Sequence, residues 1–212
     1  MNTADKQKIA KQFEQIRKID PTKIIPVQNR HQYAVTDLGQ NSAFELDGKT
    51  YLVAGIGTYR ETDDTYKKET GDSWQELKCY CLDDGTVHGL EIEADDGEIA
   101  IHFTLSEVKY NALTYDDGKS IAKDSDDLDE IADQDEDVVF NGKTYEYDDD
   151  YAACYYPQGD DKAQRAYFYE FLAEDDESLT IEVWVGATGK EDFEVYVSKS
   201  IDPHSLEILS LG

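Results

Sequence analysis

The sequence predicts a mainly β protein: two related antiparallel β-meander or small-barrel modules behind an N-terminal α-helix. Three observations carry this. Apolar and polar residues alternate with period two over many short runs, as in half-buried strands. Asp-Gly pairs at 47–48, 84–85, 96–97 and 117–118, and Asn141-Gly142, punctuate the runs. These dipeptides supply the positive φ angles of tight hairpin turns. The second half then repeats the order of the first.

Residues 4–19 read as a helix, because Ile9, Phe13 and Ile16 follow i, i+4, i+7 and form one apolar stripe. Asn2 or Thr3 can cap it, and Pro21 ends it after Asp20. Its polar face is basic, with Lys6, Lys8, Lys11, Arg17 and Lys18. Such a helix either packs on its own acidic body or meets a membrane surface or a partner helix; the narrow stripe lacks Trp. Ala43–Leu46, Asp47-Gly48 and Lys49–Gly55 then read as strand, turn, strand. Further strands are expected over Trp74–Leu82, Val87–Ala94 and Glu98–Leu105; in the last, Ile99, Ile101 and Phe103 alternate with polar or small residues.

The stretch 115–137 is dominated by Asp and Glu, so like-charge repulsion points to a linker or mobile loop, with one helical turn at most around Leu128 and Ile131. Beyond it, Val138-Val139-Phe140-Asn141-Gly142-Lys143-Thr144-Tyr145 echoes Phe44-Glu45-Leu46-Asp47-Gly48-Lys49-Thr50-Tyr51. Strand patterns at 166–172, 179–182 and 192–197 follow in the same order, giving a repeat of about 90 residues, the size of a duplicated small β domain. The expected organisation is a basic helix and lead-in at 1–37, a first β module at 38–114, an acidic linker at 115–137 and a degenerate second module at 138–212.

Composition limits the function. The 212 residues hold 48 acidic and 20 basic side chains, a net charge of −28. The first 30 residues carry seven basic and three acidic groups, net +4, which leaves −32 on the rest. Direct binding to a phosphate backbone needs Lys and Arg and is excluded. No run of about 18 apolar residues marks a transmembrane segment, and the N-terminus has no apolar signal region. Three cysteines without a secretion signal point to reduced thiols and a cytoplasmic location. Cys79 and Cys81 share one face of a strand and read as small buried hydrophobes.

Chemistry-bearing motifs are scarce. Gly48-Lys49-Thr50 lacks the upstream Gly of a phosphate loop. His31, His88, His102 and His204 have no metal-ligand spacing, and Cys79 with His88 or His102 is a pairing any such composition allows. Asp133-Gln134-Asp135-Glu136-Asp137 opens like a calcium loop but has Val138 where that loop needs Gly. No catalytic, cofactor or metal residues are assigned, and no enzyme activity is expected. The excess of tyrosine, with Tyr151, Tyr155, Tyr156, Tyr167 and Tyr169 included, suits strands and also suits a protein-binding face.

The run Phe44–Gly55, with Thr58-Tyr59-Arg60 and Trp74-Gln75-Glu76, resembles an uncharacterised bacterial β-domain family. Its pattern is Leu-Asp-Gly, a Tyr-x-Val strand, Gly, Tyr-Arg and Trp-x-Glu. The resemblance covers about 38–105, with the second half a degenerate copy in which Phe168-Tyr169-Glu170 keeps the Glu and loses the Trp. The family has no established catalytic residues. Its members are often encoded beside phage-shock-type membrane-remodelling coat proteins, small membrane proteins and polyamine-synthesis enzymes. The resemblance therefore implies a place in bacterial envelope stress and makes such a coat protein a candidate partner.

The expected function is a non-enzymatic cytoplasmic protein-binding module or adaptor. Its acidic surface would steer it toward a basic partner, and aromatic residues would supply short-range affinity. Candidate partner-binding residues are Ile9, Phe13, Ile16, Trp74, Glu76 and Trp184. The alternative is an acidic nucleic-acid mimic that inhibits a DNA-binding protein.

Overall fold

A computed structural model describes residues 3–95 and 97–212. The expected cap at Asn2, the side chain of Thr3 and the turn residue Asp96 lie outside what it describes.

The chain is mainly β with an N-terminal helix, as the periodicities predict. Helix α1 spans Thr3–Ile16. Strands β1 (Ala43–Leu46), β2 (Lys49–Thr62), β3 (Glu69–Cys81), β4 (Val87–Asp95) and β5 (Glu98–Val108) follow. Helix α2 covers Ser125–Asp133. Then come β6 (Val138–Phe140), β7 (Lys143–Pro157), β8 (Gln164–Leu172), β9 (Glu177–Val185), β10 (Glu191–Ser200) and β11 (Glu207–Ser210). The strand order is β11-β1-β2-β3-β4-β5-β10-β9-β8-β7-β6, with a further β2–β7 pairing. That pairing closes β2–β5 and β7–β10 into an eight-stranded antiparallel barrel. Residues 49–108 and 143–200 therefore contribute four strands each, and each set follows a short strand, β1 or β6. Both short strands enter through the expected turns: Asp47 and Gly48 have φ of 51° and 72°, Asn141 and Gly142 of 52° and 78°. Only Gly, Asn and Asp visit that region readily.

By contact density the chain forms two compact units, neither of them a contiguous half. The first comprises residues up to Gly57, Trp74–His102 and Ile201–Gly212. Phe44, Leu52, Leu77, Leu90 and Ile101 are fully buried in it. β11 pairs with β1, with Phe44 opposite Ile208. Cys79 and Cys81 are buried and unbridged. Burial pushes the Cys79 thiol up, and it donates to the Leu77 carbonyl at 3.3 Å. It is a protonated packing residue and not an activated nucleophile.

The second unit comprises Thr58–Ser73 and Phe103–Ser200. Here the acidic stretch differs from a linker, because α2 forms within it. Asp124 caps it, its carboxylate accepting from the Asp127 amide at 2.9 Å, and Asp126 and Asp127 sit in the first turn where the helix dipole favours negative charge. Leu128 and Ile131 are fully buried against Tyr145, Tyr169, Phe171, Leu179 and Ile181. Burying two such side chains contributes about 1.5–3 kcal/mol each. The outward carboxylates repel one another in water at about 1 kcal/mol or less per pair, so packing wins.

Candidate functional site

Period-two geometry puts Tyr167 and Tyr169 of β8 on one face of the second unit. Asp150 of β7 stands opposite Tyr169 in the register. Asp150 accepts hydrogen bonds from the Tyr167 and Tyr147 hydroxyls, one on each carboxylate oxygen. The Tyr169 hydroxyl donates to Asp129 of α2 at 2.5 Å, and Ser125 of α2 donates to Glu191 of β10 at 3.0 Å. The Tyr167 and Tyr169 rings lie 5.1 Å apart. Between α2 and the strands lies a cavity of about 460 Å³, within the size range of ligand pockets. Five carboxylates line it: Asp64, Asp129, Asp133, Asp150 and Glu191. Tyr66, Tyr167 and Tyr169 supply aromatic wall, while Ala132, Val183 and Val185 supply the apolar part. No Lys, Arg or His is among these described lining residues.

Tyr66 reaches the wall from the turn between β2 and β3, and it does so from a left-handed backbone, φ 56°. That region is costly for a bulky residue, by an amount on the order of 1–3 kcal/mol. The Asp63 side chain holds the turn, accepting from the Thr65 hydroxyl at 2.8 Å and the Lys67 amide at 3.0 Å. The Arg165 guanidinium lies 5.4 Å from the centroid of the Tyr66 ring, so this wall already carries one cation on an aromatic face.

Burial, followed by the hydrogen bonds to Asp150 and Asp129, pushes the Tyr167 and Tyr169 phenols well above their ordinary value. Burial also raises Tyr66. The phenols therefore stay protonated near neutrality and act as donors, not as bases. Among the described residues no cluster of His, Cys, Asp and Glu suits a metal ion. What the pocket offers is concentrated negative charge, hydroxyl groups and aromatic faces, a chemistry suited to organic cations.

The residues singled out from the sequence lie elsewhere. Ile9, Phe13 and Ile16 share the exposed side of α1. Trp74 and Glu76 are half-buried two positions apart on β3, opposite Glu93 and Glu91 of β4. Trp184 faces away from the Leu179–Val183 side as its register demands, and it is half-buried. Its ring N–H donates to Glu182 at 2.9 Å, and its ring lies 5.9 Å from Tyr155 and 6.3 Å from Tyr59. It also lines a second cavity, of about 660 Å³, with Arg165 and the β9–β10 turn. The carboxylate–tyrosine pocket had only a faint sequence signal, the Tyr-x-Tyr at 167–169.

The family model for a domain of unknown function, DUF4178, matches residues 40–203. The chain belongs to that family. No curated protein and no solved structure matches it. Every residue lining the carboxylate–tyrosine pocket, from Asp64 to Glu191, falls inside the DUF4178 match, whereas α1 precedes it.

Proposed function

We propose that this DUF4178 protein is a non-enzymatic binding module that takes a cationic side chain of a protein partner, Lys or Arg, into the carboxylate–tyrosine pocket. The observation that carries this reading is the pocket itself: five carboxylates and three tyrosines around one cavity, with no cation among its lining residues. A net charge of −28 steers a basic partner toward the protein, and the ring faces supply contact once it arrives. Phenols held protonated by burial favour recognition over proton transfer. The resemblance noted above supports a role in bacterial envelope stress and offers a phage-shock-type coat protein as the partner to try first, and the cysteine usage supports a cytoplasmic setting.

The test is calorimetric titration with a short lysine-containing peptide and its arginine counterpart, with the acetyl-lysine peptide as neutral control. Asp150→Asn and Tyr66→Asn should each weaken binding about tenfold, in line with the loss of a charged hydrogen bond or of a cation–aromatic contact plus its buried area. Asn at 66 tolerates the left-handed turn, so the fold is kept. Equal binding of the acetylated peptide, or of Asp150→Asn, would remove the pocket from consideration.

A further inference from the structure

Helix α1 is turned the unexpected way round. Its polar side meets its own unit: the Gln12 side-chain amide donates to the Leu82 and Asp83 carbonyls at 3.0 and 3.3 Å, and the Lys11 ammonium lies 5.3 Å from the Tyr80 ring centroid. The apolar stripe is left in water, with Ile9 38 %, Phe13 59 % and Ile16 45 % exposed. A soluble helix normally does the reverse. The exposure continues past Pro21, at Ile24, which bridges to Ser210, at Val27, which opens a 3-10 helix, and at Tyr33, which follows it. Of the large apolar residues exposed among the described residues, only Val87 and Leu172 fall outside this short segment.

The same segment holds the chain's concentration of cations. Lys6, Phe13 and Arg17 are spaced i, i+7, i+11, so the two cations lie on the face that carries Phe13. Both are exposed, as is Lys18.

We propose that α1 and the stretch through Tyr33 form a reversible docking element for an anionic lipid surface. Apolar side chains would enter the headgroup boundary while Lys6 and Arg17 keep their charges at its edge. Charge complementarity selects this occupant over a second copy, since α1 against α1 sets like charges side by side and each chain carries −28. The distribution of the apolar groups selects it over a partner helix. A partner helix reads one line such as Ile9, Phe13 and Ile16, whereas Ile24, Val27 and Tyr33 lie on the chain beyond the helix, off that line. A lipid surface has no fixed groove to satisfy. Only a few basic groups face the anionic leaflet, so docking is weak and salt-sensitive. The −32 on the remaining residues opposes any other orientation, within a Debye length of about 8 Å.

The experiment is flotation of the full chain with vesicles of neutral phosphatidylcholine, alone or with about 30 % phosphatidylglycerol, at low and at physiological salt. The expected result is partition only onto the anionic vesicles, weakened by salt, at least tenfold lower for Phe13→Glu and retained by Phe13→Leu. Because Phe13 is exposed, neither variant should change the circular dichroism spectrum. Failure to float, equal partition onto neutral vesicles, or an unaffected Phe13→Glu would each overturn the proposal. So would light scattering that shows a dimer dissolved by Phe13→Glu, which would assign the stripe to a second copy.

Discussion

At the scale of single residues, the tyrosines hold the clearest energetic consequence. Burial pushes Tyr51 up to about 12, and it raises Tyr167 and Tyr169 as well, with help from Asp150 and Asp129. In the unfolded chain the same phenols titrate near their ordinary value of roughly 10. Below roughly pH 10 both states keep these protons and the stabilisation is whole. As pH rises above that, the unfolded chain loses protons that the folded one retains, and stability declines toward the folded values. Phenolate absorbance followed beside circular dichroism should therefore rise in two steps. Exposed tyrosines ionise first, and the buried group ionises only as the dichroism is lost. A single step for all fifteen tyrosines before any unfolding would refute the burial argument.

At the scale of elements, helix α2 shows where charge misleads and packing decides. Leu128 and Ile131, spaced i, i+3, are the only large apolar residues in its nine, yet both are completely buried. Leu128→Ala should cost about 2–5 kcal/mol, and Asp124→Ala, which removes the cap, about 1 kcal/mol. Urea unfolding of both variants checks the ratio; equal small losses would mean the helix is marginal to the second unit. The same contrast explains what the sequence made legible. Asp47-Gly48 and Asn141-Gly142 specify their turns locally, so β1–β2 and β6–β7 were readable. The far part of β2, from Ile56 to Thr62, and residues 69–73 of β3 were not, because charged and Gly residues interrupt their alternation. Closure through β2–β7 depends on pairing between residues about 90 apart, which no window of sequence contains. The pocket was hidden for the same reason: Asp64, Asp129, Asp150 and Glu191 come from four separate elements, and an acidic chain offers dozens of equivalent candidates. The α1 stripe was visible, but which of its sides would face the protein was not, since that depends on carbonyls at Leu82 and Asp83.

At the scale of the molecule, one quantity acts in two directions. A net charge of −28 on a 24.0 kDa chain makes the folded state repel itself more than the expanded unfolded chain does. Ion pairs offset little of this, since Lys49–Asp84 and Arg60–Glu69 are largely solvent-exposed and such pairs contribute about 0–1 kcal/mol. Added salt shortens the Debye length from about 14 Å at about 50 mM to roughly 4 Å at about 500 mM, below the spacing of most surface charges. Relief of one to a few kcal/mol should raise the melting temperature by roughly 3–10 °C for a chain of this size. The same screening should weaken the lysine peptide in the carboxylate–tyrosine pocket, because its attraction draws on the same field. Calorimetry across a sodium chloride series should therefore show melting temperature rising while peptide affinity falls. A melting temperature that falls with salt would mean local ion pairs outweigh the global repulsion. An affinity that ignores salt would mean the peptide is held by its apolar stem, and the carboxylates of the pocket would lose their assigned role.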